Sequence, residues 1–332
     1  MERNVLVDRL KGYACFLVLL GHVIMGVRLA GIDMPEIFHM AETFIWSFHV
    51  SLFLFLSGQV YAITGGWKSK KTRLGFIKHK AITLGIPYII FSIIYIAINS
   101  FVGGANNQSS YTDILFIWKT PIAQYWFLYA LFFLFVIWAI LGKFKNYQIT
   151  VGIVAIAYLV PILGGSFGFF EVVMYSALAF GLGTCIKISN IDKGHWSYRI
   201  AFIAVHIILC ALLIKFSLIG VLGIKEVVMI IGIYASILFV SLISKLDIIS
   251  RFLDFMSRYS FQVYLLHTIF TAGVRIVLIK FGVDQWYIHI VVGCIIGIAA
   301  SVAVAIICEK IPLLNKCFFP ISKKKKRSDE NA

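Results

Sequence analysis

Four ionisable side chains stand where packing alone gives them no reason to be: Asp8, Arg9 and Lys11 at the head of a long apolar run, and His22 inside it. On an α-helix each residue turns by about 100°, so the step of about eleven residues from Lys11 to His22 returns to nearly the same face, with Asp8 one turn before the lysine. At about 1.5 Å per residue the imidazole lies roughly 16 Å beyond Lys11, deep in a hydrocarbon core about 30 Å thick. Everything between them, Gly12 to Gly21, is apolar or small. An ionisable group at that depth marks function, and imidazole takes up and returns a proton near neutral pH. The stretch therefore reads as a catalytic helix entering a membrane.

Composition sets the elements that must position it. Of 332 residues 61% are hydrophobic and 14% charged, with a mean hydropathy of +0.93. Those values exclude a water-soluble globule and point to an all-α membrane protein. The net charge of +15 does not read as nucleic-acid binding, because the basic residues fall between apolar runs, where they act as topology signals. The six cysteines form no CxxC pair, so neither a metal site nor a disulfide framework is indicated. No small-residue cleavage site follows the first run, which is long enough to span.

About ten runs have the length a bilayer requires. They cover 10–31, 38–64, 81–103, 122–141, 149–165, 170–186, 200–218, 226–244, 261–281 and 286–308. Residues 1–310 then form one membrane domain, and 311–332 a basic tail carrying Lys323 to Arg327. Assigning the loops alternately to two sides gathers Lys68, Lys70, Lys71, Arg73, Lys78 and Lys80 with Lys143, Lys145, Lys187, Arg199, Lys245, Arg251 and the tail. The opposite loops, such as 31–35 and 164–167, are nearly free of positive charge. By the positive-inside rule both termini are cytoplasmic.

Three more histidines fall well inside spans, and of these His49 and His267 are placed to share a cavity with His22. His206, alone on an otherwise apolar run, reads as structural. Gly58 in the second run and the Gly293, Gly297 pair in the last read as close-packing positions. Tyr125 and Trp126, opening the fourth run, suit either an interfacial aromatic belt or a site role. The ninth run opens Ser260-Phe261-Gln262-Val263-Tyr264-Leu265-Leu266-His267.

Together these pieces resemble the family 3 membrane acyltransferases, integral-membrane enzymes that O-acylate bacterial surface glycans, and the resemblance runs from Asp8 to about His267. Lys11 and His22 match the signature of a basic residue, ten residues, then histidine, and Asp8 matches the aspartate three residues before the basic one. Phe48-His49 through Ser57-Gly58 resembles the second-helix signature, and Trp126-Phe127-Leu128 the tryptophan motif of a later helix. Phe76 to Pro87, with Lys78 and Lys80, is similar to the basic loop before the third helix, and Ser260 to His267 to the late serine, tyrosine, leucine, leucine, histidine motif. One departure concerns Ser51, which stands where many members have proline, so the bend of the second helix is not set by a proline here.

The resemblance implies transfer of an acyl group, usually acetyl, from acetyl-coenzyme A as donor substrate, with no permanently bound cofactor. The acceptor is a hydroxyl on a lipid-linked or exported glycan, and the setting a bacterial cytoplasmic membrane. It implies a catalytic set of His22, Lys11, Asp8, His49 and His267, with His22 the general base and His49 and His267 orienting the acceptor or stabilising the oxyanion. Arg9, Lys11, Lys78 and Lys80 would hold the phosphates of coenzyme A, with Trp126 in the donor-binding set. The expected partners are acyl-coenzyme A, the glycan acceptor and membrane lipids, not nucleic acid. Some larger family members carry an attached extracytoplasmic esterase-like domain, and none is expected after the tenth run. Two other functions also suit ten spans with buried polar groups: a glycan exporter or lipid-linked sugar flippase, which needs no cytoplasmic basic cluster, and a non-catalytic assembly partner, in which the buried histidines are dispensable.

Overall fold

The computed structural model describes residues 4–101, 110–191 and 195–320, and among them every regular element is helical. The turn-rich connection over 103–109 and the tail lysines at 323–326 lie outside the described residues. Helix α1 (Val5–Leu29) starts where the Asn4 side chain accepts the Val7 N–H at 3.2 Å, and it stops at Gly31, whose φ of +73° no continuing helix permits. The second crossing is α2 (Glu36–Trp46) and α3 (His49–Ile63); the third is α4 (Arg73–Lys80) and α5 (Ile86–Phe101) joined through a π-turn at Ala81–Gly85. Then come α6 (Trp126–Ile140), α7 (Asn146–Ile162), α8 (Glu171–Cys185), the short α9 (Ile188–Ile191), α10 (Trp196–Lys215) and α11 (Ile224–Ile243). Helix α12 (Asp247–Arg258) precedes α13 (Ser260–Lys280), α14 (Trp286–Lys310) and α15 (Pro312–Phe318).

Nine of the described helical segments are long and apolar enough to cross a bilayer, and the 17-residue apolar α7 supplies a tenth crossing. This is a multi-pass, all-α membrane protein. An even number of crossings returns the chain to the end of the bundle at which it began. That end carries Arg9, Lys11, Lys78 and Lys80, and is called here the basic end.

Three departures from the sequence-based expectations bear on the site. The apolar run predicts one helix over 38–64, but the chain breaks at Ser47 and Phe48, without any proline. There the Ser47 hydroxyl bonds back to the Phe44 carbonyl at 2.7 Å, Phe48 leaves helical geometry at φ −145°, and His49 Nδ1 takes up the Ile45 carbonyl at 2.7 Å. Second, the basic segment before the third span is helix, not loop. Thr72 caps it by accepting the Gly75 N–H at 3.0 Å, and the π-turn absorbs the hydrogen bond that Pro87 cannot donate. Third, α12 lies between the eighth and ninth apolar runs without a run of its own, because its apolar residues fall on one face of a short helix that buries Leu253 and Met256.

Close helix approach is bought with small residues. A Cβ on Gly12 would overlap the Leu253 carbonyl of α12, and one on Gly58 the Phe180 carbonyl of α8. Gly183 of α8 lies equally close to the Phe55 backbone, and the Gln59 amide donates to the Gly183 carbonyl at 2.6 Å and also to that of Ile186. Gly293 and Gly297 pack against Val23 and Leu19 of α1, as their spacing suggested.

Candidate active site

The break in the second crossing and the small residues of α1 together assemble the histidines. His22 lies seven residues before the end of α1, about 10 Å from its terminus. Gly21 beside it lets the end of α2 come close, with Ile45 and Trp46 as the nearest side chains to where its Cβ would stand. Trp46 thereby enters between two imidazoles: its ring centroid is 5.2 Å from His22 and 4.9 Å from His49, edge-on to both. His267 on α13 completes the group, 5.1 Å from His22 between ring centroids.

The hydrogen bonds fix two tautomers. His267 Nδ1 faces the carbonyls of Val263 at 2.7 Å and Tyr264 at 3.0 Å, and His49 Nδ1 faces that of Ile45 at 2.7 Å. A carbonyl only accepts, so each Nδ1 carries the hydrogen, and each neutral ring keeps its lone pair on Nε2. In His267 that Nε2 is buried and has no partner among the described residues. An unmet acceptor deep in a membrane protein is costly unless a ligand or a reacting proton uses it.

With the fully buried His267 standing behind that lining against His22, the His22, Trp46 and His49 rings line a cavity of about 350 Å³. It reaches from Val18, one turn before His22, outward to Leu29, Asn99 and Ile276, so it opens toward the end of the bundle opposite Lys11. Its wall is stapled between α13 and the turn Ala123–Tyr125 that leads into α6: Gln124 donates its amide to Thr268 Oγ1 at 2.6 Å, Tyr264 donates its hydroxyl to the Gln124 carbonyl at 2.5 Å, and Tyr125 donates to the Leu265 carbonyl at 2.9 Å. Trp126 follows directly and faces the cavity. Trp46, Val50 and Trp126 also line a neighbouring, more open groove of about 620 Å³ that runs to Lys119 and Glu171. The Arg28 guanidinium grips the buried Glu42 carboxylate through two 2.8 Å bonds and ties α1 to α2 above the site.

His22, His49 and Trp126 thus meet around one space with His267 behind His22, and the remaining expected residues do not reach it. Lys11 pairs with Asp8 at 3.6 Å at the basic end of α1. Arg9 donates to Asp254 of α12 at 3.2 Å and to the Ser244 carbonyl at 3.2 Å, so its charge already has a carboxylate partner. Lys78 is exposed on α4, whereas the Lys80 ammonium lies 3.7 Å from the Phe135 ring centroid. His206 stands apart, beside Cys210 at 3.6 Å and the Phe44 ring at 5.4 Å.

An acyltransferase domain, that of the family 3 acyltransferases, matches residues 4–308, nearly the whole chain and every residue of the histidine site. The chain belongs to this family. It is therefore a membrane acyltransferase. No curated protein and no solved structure matches it.

Sequence reasoning passed over several residues of this family 3 acyltransferase's cavity. Trp46 carried no signal as one aromatic among many in the second run, and Asn99 none as a polar residue near the end of the third. Arg275 did carry one: it sits inside the run drawn over 261–281, and the rule that singled out the histidines applies to it with more force.

Proposed function

We propose that this acyltransferase moves an acetyl group from acetyl-coenzyme A to a hydroxyl of a lipid-linked or exported glycan in a bacterial cytoplasmic membrane. The observation that carries this reading is a cavity walled by the His22 and His49 imidazoles, with His267 packed behind His22, that opens away from the basic end. Donor and acceptor then approach the same atoms from opposite sides. The charge bias of the loops puts the basic end in the cytoplasm, where acyl-coenzyme A is made. With its nucleotide near Lys11, Lys78 and Lys80, the donor would direct its pantetheine arm along α1 over the roughly 16 Å to His22. Arg9 would join only by exchanging Asp254 for a phosphate. The acceptor would enter from the opposite end, with Trp46 and Trp126 offering flat apolar faces to sugar rings and the adjoining groove taking the rest of an extended chain.

A sugar hydroxyl is a weak nucleophile at neutral pH, so it must lose its proton as it attacks the thioester carbonyl. His22 takes that proton. The new C–O bond gives a tetrahedral oxyanion, and collapse of this species breaks the C–S bond. The imidazolium then returns the proton to the departing thiolate, leaving ester and free coenzyme A. His267, held by two carbonyls and packed against the His22 ring, keeps that imidazole in position for the attacking hydroxyl.

The test uses the purified full chain in liposomes, given acetyl-coenzyme A and a lipid-linked oligosaccharide. The reading requires acceptor-dependent release of coenzyme A with an equal yield of O-acetyl ester. Sidedness is checked by single cysteines near Lys70 in intact cells, which should resist an impermeant thiol reagent. Ester formation from a donor other than an acyl thioester, or ready labelling near Lys70, overturns the donor assignment or the threading respectively.

A further inference from the structure

The cavity holds a charge that acyl transfer to a neutral sugar would not need. Arg275 lines it, yet no carboxylate lies within ion-pair distance of Arg275 among the described residues, and no aspartate or glutamate lines the cavity. Arg28, only two residues beyond Gly26, shows the contrast, because it is neutralised by Glu42. A second unmet donor belongs to the same wall: Asn99 lines the cavity, and its buried amide nitrogen has no hydrogen-bond partner among the described residues. A cation and an amide N–H left unpaired in a membrane cavity make an anion site.

Its position relative to the chemistry can be read from α1. The Arg275 guanidinium lies so close over Gly26 that any Cβ there would collide with it, and Gly26 is one helical turn, about 6 Å, past His22. Glycine at this place is what lets the arginine lie across α1 into the cavity. The anion would therefore sit about one sugar ring away from the hydroxyl that His22 deprotonates.

We propose that Arg275, assisted by Asn99, binds an oxyanion of the acceptor, so that the enzyme selects acidic glycans. The oxyanion is a carboxylate or phosphate borne by the acylated sugar or by the linkage next to it. The assignment deepens the reading of this cavity as the acceptor site and rests on it.

Binding is measured without donor, by quenching of tryptophan fluorescence in the purified full chain, since Trp46 and Trp126 flank the site. The probes are methyl glucoside, methyl glucuronide and methyl glucoside 6-phosphate. The acidic probes should bind about tenfold or more tightly than the neutral one, the size of a charge-assisted hydrogen bond. Arg275→Gln should abolish that preference while leaving the neutral probe unchanged, and Arg275→Lys should keep part of it. Whichever acidic probe loses more in Arg275→Gln identifies the oxyanion as carboxylate or phosphate. Equal binding of all three probes, no binding of any, or an equal loss for all in Arg275→Gln overturns the proposal, the last by assigning Arg275 to structure or to lipid headgroups. Acetylation of the probes is then followed with acetyl-coenzyme A. Arg275-dependent binding without any acetylation would leave the anion site standing and refute the acceptor reading alone.

Discussion

Helices α1 and α10 are equally good membrane spans by hydropathy, 1.8 against 2.2, yet 67% of one and 11% of the other is buried inside the protein. Helix α1 touches α2, α3, α11, α12, α13 and α14, whereas α10 packs on α11 and α2 and turns Val205, Ile207 and Ile208 outward. Hydropathy measures transfer from water, and lipid tails and leucine side chains are alike to it. The difference lies in the residues that hydropathy averages away. Helix α1 carries Gly12, Gly21 and Gly26, each at a close approach, while α10 has no glycine. A histidine means something different on the two: His22 faces a cavity with two other imidazoles nearby, and His206 fills a gap between Cys210 and the rings of Phe44 and Phe48.

The sharpest way to break this contrast is to remove His22. His22→Ala should reach the membrane in normal amount, since deleting a polar side chain from a span does not oppose insertion. Its acyl transfer should fall by about 10² to 10⁴-fold, the usual cost of losing a positioned base. His22→Gln should fail likewise, because an amide cannot accept the proton. O-acyl ester on the glycan is measured beside the amount of glycan exported; full acylation by His22→Ala would refute the mechanism. His267→Ala, measured alongside, tests the division of labour: a greater loss than in His22→Ala would make the anchored ring the base.

The number of crossings and the common end of Lys11, Lys78 and Lys80 were legible in the sequence, because a bilayer imposes length and charge rules that hold without knowledge of the neighbours. The convergence of His22, His49 and His267 was legible from depth alone. The break at Ser47 and Phe48 was not, since it depends on side chains competing locally for carbonyls that a helix would otherwise use. Nor was the pairing of Arg9 with Asp254, which depends on α12 docking against Gly12 across some 240 residues of chain.

The packing of α3 on α8 extends the comparison to stability. Gly58→Leu would force a branched side chain into the Phe180 and Thr184 backbone, and overpacking of this kind costs about 1 to 3 kcal/mol. The variant should lose heat stability in detergent, read as the temperature at which it aggregates, whereas Gly152→Leu on α7, with open space around it, should not. Equal stability of the two would deny that α3 and α8 depend on this contact. A smaller change is expected at the basic end. Lys78→Ala with Lys80→Ala should raise the donor KM about tenfold with kcat nearly kept, the pattern of lost phosphate contacts far from the reacting atoms. An unchanged KM would return both lysines to the role of topology signals.

The smallest effect belongs to His206, and it closes the comparison from the other side. Its ring is 3% exposed, its polar contact is the Cys210 thiol four residues along the same helix, and its other neighbours are phenylalanines. Leucine is similar in bulk and leaves no buried polar atom unmet, because a thiol tolerates an apolar neighbour. His206→Leu should therefore change acyl transfer by less than about twofold, with thermal stability held or slightly raised. The measurement is the same ester assay used for His22→Ala, normalised to protein in the membrane. A loss of a hundredfold or more at normal protein level would mean that burial among aromatic rings does not separate a structural histidine from a working one, and that α10 contributes to the chemistry after all.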